Sequence, residues 1–194
     1  MLVVKKEYEK NIKKLKKTFI TKEYLDVYHT NNWDRFTAEY DEGENKKHVS
    51  HIDFFNNAFQ MTGLLKRFLE NEPFSVCYVV PIYNDKYKIK LFEDDISKEL
   101  YNEFKMLLNS LGLKVTTSRT LQMTKEEILM WIDRFSIGGF CGVLEYAILI
   151  PEMNIAVWPH HHMNYLVFAV EKEKIANKIS ELIILEKYRF CHIG

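Results

Sequence analysis

The 194-residue chain is expected to fold as one α+β domain over 1–194: a mostly antiparallel β-sheet of about five to six strands, helices packed mainly on one face, and an N-terminal amphipathic helix. Three observations predict this class. Helical and strand-like hydrophobic periods interleave along the chain. Most links between strand-like runs are tight, which suits antiparallel neighbours. Only one or two links are long enough for a helical crossover, which argues against a parallel doubly wound sheet. Apolar residues make up 47% of the chain, with only 7 Gly and 4 Pro, so disordered, collagen-like and low-complexity classes are excluded.

Tyr8, Ile12, Leu15 and Phe19 recur at helical spacing while Lys10, Lys13, Lys14, Lys16 and Lys17 fill the intervening positions, which predicts the amphipathic first helix. The region 1–50 reads as an N-terminal arm followed by an irregular connection over 28–50, because Asn31-Asn32 and Asp41-Glu42-Gly43 interrupt any period. Ser50 then opens a helix to about Glu70 with a capping-box form, and Phe55, Ala58, Phe59, Met61, Leu65, Phe68 and Leu69 form its inward arc. Ser75–Tyr83 and Lys86–Phe92 read as a hairpin about Asn84-Asp85, with Pro81 pointing to an edge or a bulge.

A helix over about 95–111 ends at Gly112, a C-terminal cap, and Leu113–Thr117 reads as a short strand. Thr124-Lys125-Glu126-Glu127 is a full capping box for a helix to about Phe135, which Gly138-Gly139 is expected to stop in a tight link to the next strand. Val143–Ile150, Asn154–Trp158 and Met163–Val170 are strand candidates, the first and last apolar on both faces and so placed at the sheet centre. A final helix is expected over about 171–188.

The chain has as many basic as acidic residues, 27 of each, so its overall charge names no partner. Lysines crowd the first 22 residues and acids dominate from Glu23 to Lys46, two patches that read as mutually attracting faces; nucleic acid would be bound only through the lysine-rich helix, at Lys13, Lys14, Lys16 and Lys17. No stretch has the roughly 18 uncharged apolar residues of a membrane helix. Cys77, Cys141 and Cys191 are an odd set without a secretion signal, so the expectation is a cytoplasmic protein with reduced thiols and Cys77 in the core.

Chemistry concentrates at Trp158-Pro159-His160-His161-His162. In an extended segment His160 and His162 point the same way, which suits zinc or manganese. If Ile150 pairs with Ile155, Glu145 falls opposite His160 as a third ligand, and Glu145 is the lone charge in its strand. The plain alternative is a polar turn joining two strands. Phosphate-binding, dinucleotide-binding, His-Glu-x-x-His and Gly-x-Ser-x-Gly signatures are absent. The aromatic content exceeds what a core of this size requires, and Trp33 and Trp158, in or beside irregular segments, are candidate interface anchors.

The expected function is therefore a binding or interaction protein without a cofactor. It would recognise another protein or a small ligand, by analogy with the small immunity and antitoxin proteins that bacteria use as stoichiometric inhibitors, through Trp33, Glu145, Trp158, His160, His161 and His162. The competing expectation is a metal-dependent hydrolase built on His160, His162 and Glu145 with a metal-bound water.

Overall fold

The computed structural model describes residues 1–20, 23–29, 51–82, 88–89, 95–114, 117–142, 144–161, 163–183 and 188–193. Of the irregular connection expected over 28–50, Tyr28 and His29 belong to a strand and the rest, with Trp33, lies outside them, as do the Asn84-Asp85 turn and His162. The described elements are β1 (Leu2–Val3), α1 (Lys6–Phe19), β2 (Tyr24–His29), α2 (His51–Asn71), β3 (Val76–Pro81), β4 (Lys88–Ile89), α3 (Asp95–Ser110), β5 (Leu121–Thr124), α4 (Lys125–Phe140), β6 (Leu144–Ile150), a 3-10 turn (Pro151–Met153), β7 (Ile155–His160), β8 (Asn164–Ala169), α5 (Lys172–Ile183) and β9 (Tyr188–Ile193). The class is α+β. All nine described strands share one sheet, in the order β1-β5-β3-β6-β7-β8-β2-β9 with β4 beside β6, and every paired neighbour among them is antiparallel.

The strand count exceeds the expected five to six because β1, β2 and β9 carry no long apolar run and escape a reading by hydrophobic period. The strand expected at Leu113–Thr117 falls partly outside the described residues, and a short strand is found at Leu121–Thr124, where Leu121 and Met123 enter the core and Gln122 alternates outward. The β3–β5 ladder ends at Val79, so Pro81 is paired on one side only, with Tyr146 of β6, a local edge within the sheet. It is the last residue of the central strand β3, where a missing N–H costs no ladder bond further along.

Two crossovers give the sheet its plan. β5 and β6 are each antiparallel to β3, hence parallel to one another, and α4 joins them with β3 in between. β8 and β9 stand in the same relation to β2, with α5 as the joining helix. The first unit lies in the chain between the two halves of the second, and the β6–β7–β8 meander stitches them together.

Helices α2 to α5 cover one face. Their inward residues, such as Met61, Leu69, Leu108, Ile128 and Ile132, pack with Leu25, Val27, Val79, Ile148 and Val157 from the sheet in one apolar core. Among the described residues helix α1 is the only helix on the other face, where Val4, Ile12 and Phe19 meet Val80, Ala147, Leu149, Ala156, Leu166 and Phe168. Tyr8, expected inward, is 55% exposed. Glu9 is turned in instead, accepting hydrogen bonds from Arg119 Nε (2.9 Å), Thr120 N (3.0 Å) and Thr120 Oγ1 (2.9 Å). Near the helix end Lys16 Nζ donates to the carbonyls of Pro81 (2.8 Å) and Ile82 (3.0 Å).

The glycines divide into two kinds. Gly112 takes a positive φ of 70° and completes the cap expected of it: its N–H bonds Asn109 O, and Leu113 N bonds Leu108 O. Gly138 and Gly139 do not stop α4, which runs on to Phe140 and ends at Gly142, φ 65°. They serve packing. A Cβ at Gly138 would lie 2.7 Å from Leu144 Cδ1, and one at Gly139 would lie 2.7 Å from Pro159 O. Only bare backbone lets α4 approach β7 this closely.

Candidate functional site

The polar residues buried in the sheet fall mainly on the face that α1 covers. Side chains alternate along a strand, so Asp26 lies on the face opposite Leu25 and Val27, Asn164 shares a face with Leu166 and Phe168, and Glu145 shares one with Ala147 and Leu149. Thr120 and Glu9 complete the set.

Three of these residues join in a chain. Asn164 Nδ2 donates to Asp26 Oδ1 at 2.6 Å, and Asn164 Oδ1 lies 3.2 Å from His160 Nδ1. Asp26 and Asn164 are 3% and 2% exposed. An amide whose nitrogen faces a carboxylate must offer its oxygen to the imidazole, so His160 Nδ1 carries the hydrogen and the neutral ring keeps its lone pair on Nε2. Desolvation by burial pushes the Asp26 carboxyl up to about 6, against the lowering effect of its bond from Asn164. Among the described residues Asn164 is its only hydrogen-bond partner.

The imidazole held this way belongs to a ring ladder. Trp158 meets His160 edge-on, with centroids 5.3 Å apart at 88°, and His160 stacks on His161 at 4.0 Å and 39°. Trp158 and His160 are half-buried and His161 is exposed. The turn after them is tight: Met163 N donates to His160 O at 3.0 Å, and Met163 takes φ 54° with its side chain buried. A three-residue hairpin link of this kind normally places glycine at that position.

Ile150 pairs with Ile155, as the expected register requires. The β6–β7 ladder nevertheless closes at Ile148 and Val157, and the ladder partner of Glu145 is Lys88 of β4. Beyond Val157, β7 follows β8, pairing through His160 with Asn164. His160 is thus joined to Asn164 and Asp26, Glu145 is paired one strand away, and His162 and Trp33 lie outside the described residues. Among the described residues no three His, Cys, Asp or Glu side chains group as metal ligands.

Asp26 and Asn164 are absent from any expectation drawn from sequence. A signal for Asp26 existed: one acid between Leu25 and Val27 in a short aromatic run, the same signal that picked out Glu145. Cys77 is buried in the core, where burial pushes its thiol up to about 12 and leaves it unreactive. Cys191 occupies the register position opposite Asp26 on β9. On the other face, an apolar gap of about 20 Å³ is lined by Val27, Leu64, Phe68, Val157, Tyr165 and Ile179; its walls offer no polar group for chemistry.

Among the described residues no helix is long and apolar enough to cross a membrane. No family model matches the chain, and neither a curated protein nor a solved structure matches it.

Proposed function

We propose that this is a binding protein that recognises another protein through the Trp158–His160–His161 ladder, acting as a stoichiometric inhibitor in the manner of immunity and antitoxin proteins. The observation that carries the reading is the buried support of the ladder. Asp26 is kept ionisable inside the sheet, at a cost in stability, and its contact leads through Asn164 to one half-buried imidazole. Rings on short side chains lose little entropy when a partner covers them, which suits an interface anchor. A cytoplasmic location fits the reduced thiol of the buried Cys77.

The test is recovery of a complex on immobilised protein, with its composition read by light scattering. A complex of fixed stoichiometry, lost in Trp158→Ala/His161→Ala, supports the reading. A partner retained equally by that variant overturns it.

One observation favours a second reading, the metal-dependent hydrolase. His160 has its Nδ1–H satisfied from within the protein, the arrangement a metal-ligating histidine needs in order to present Nε2. Glu145 and His162 would complete the ligand set, and the metal would supply an activated water. Elemental analysis decides it: near-stoichiometric zinc or manganese lost in His160→Ala supports a metal centre, and metal-free protein from metal-supplemented culture removes it.

A further inference from the structure

We infer that the outer face of α1 is a docking site for the phosphate backbone of nucleic acid, independent of the ring ladder. Ile12 and Phe19 are buried against the sheet, Glu9 is clamped by Arg119 and Thr120, and Lys16 is committed to the carbonyls of Pro81 and Ile82. These contacts fix the rotation of the helix about its axis. Lys6, Lys10, Lys14 and Lys17 are thereby left exposed on the opposite side, within about 80° of one another at 3.6 residues per turn. Lys16, part of the basic set expected from sequence, is not on this face.

None of the four exposed lysines is held by an acid or a carbonyl among the described residues. Successive members from Lys6 to Lys14 rise by about 6 Å along the axis, a regular row of point charges on a rigid support. Glu7 flanks the row at its first turn.

The chemistry of this row selects its partner. Stable anchoring on a membrane surface would need the apolar side of the helix as well as its charges, and that side is spent on the sheet. A protein interface would need aromatic or arginine anchors at its centre, whereas this face carries lysine alone, a residue depleted from such interfaces. A polyphosphate chain needs only evenly spaced cations and released counterions. The net charge of the protein is balanced, so attraction to this face is local and acts within about a Debye length.

The test is fluorescence anisotropy of the full-length protein with a labelled DNA duplex of about 20 bp, starting at about 50 mM salt. Four lysine contacts predict a slope of log K against log salt near −3.6, a loss of about 10²-fold between 50 and 200 mM. Lys6→Gln/Lys10→Gln/Lys14→Gln/Lys17→Gln should lose at least about 30-fold in affinity while keeping the wild-type melting temperature, since all four side chains are in water. The control removes the same charge elsewhere, from exposed lysines on α3, its C-terminal link and α5: Lys98→Gln/Lys105→Gln/Lys114→Gln/Lys174→Gln, which should change affinity by less than about 3-fold. Equal losses in the two variants, no wild-type binding at low salt, or binding to phosphatidylserine vesicles in place of the duplex would each overturn the proposal.

Discussion

The two faces of the sheet are built on different principles. On the side of α2 to α5, many buried apolar side chains form one core, and polar groups within it are few and locally answered, as when Tyr165 OH donates to Ser136 Oγ at 2.8 Å. On the side of α1 the apolar cluster is small, and Glu9, Asp26, Thr120, Glu145 and Asn164 are buried beside it. One face has been shaped for cohesion. The other carries ionisable groups that cohesion alone would replace with Val or Leu, and it is there that the imidazole of His160 is positioned and the lysine row of α1 is displayed.

This contrast can be broken most forcefully on the cohesive side. Phe135 is 1% exposed and packs with Phe104, Trp131 and Tyr146, so Phe135→Ala should cost about 3–5 kcal/mol, read as a fall in urea midpoint. A loss under 1 kcal/mol would mean that this layer does not carry the stability.

On the α1 side the sign should reverse. Native Asp26, near 6, holds its proton more tightly than the unfolded group near 3.8, so its contribution to stability falls as pH rises from about 4 through about 6 and then levels off. Ionised at pH 7 it costs about 3 kcal/mol relative to its protonated form. Asp26→Asn keeps an acceptor for Asn164 and should therefore stabilise by up to about 3 kcal/mol at pH 7, with the gain vanishing near pH 4. Paired urea titrations at the two pH values measure it; a variant less stable than wild type at pH 7 would show that Asp26 supports the fold.

The smallest effect sharpens the comparison by testing its exception. Tyr146 is fully buried on the cohesive side and its hydroxyl has no hydrogen-bond partner among the described residues. Tyr146→Phe removes an orphaned polar group and should raise stability by about 1 kcal/mol, seen as a few degrees in melting temperature. A loss would reveal a partner for that hydroxyl.

Much of the cohesive face was legible in the sequence because it obeys periodicity. The capping box at Thr124, the cap at Gly112, most of the inward arc of α2, the fully buried strand β6 and the largely buried strand β8 follow from spacing alone. Phe59 is an exception: it belongs to the apolar arc of α2 yet is 56% exposed, because the arc is wider than the surface it meets. The α1 face was less legible, since its side chains answer partners distant in sequence. Glu9 displaces Tyr8 only because Arg119 and Thr120 are waiting for it, and Asp26 meets Asn164 across 138 positions of chain. Gly138 and Gly139 look like a stop until the closeness of Pro159 and Leu144 shows why a helix would keep them.

The nesting of one crossover unit inside the other has a consequence for synthesis. β2 emerges from the ribosome well before either of its partners, β8 and β9. A nascent chain must hold two bare strand edges and an acidic side chain in water while the inner unit forms, and closes the sheet only once β8 and β9 have followed. Stalled or shortened products that lack β8 would thus present an open edge ready to join a neighbour, so aggregation of C-terminal truncations should exceed that of any single substitution in the ring ladder.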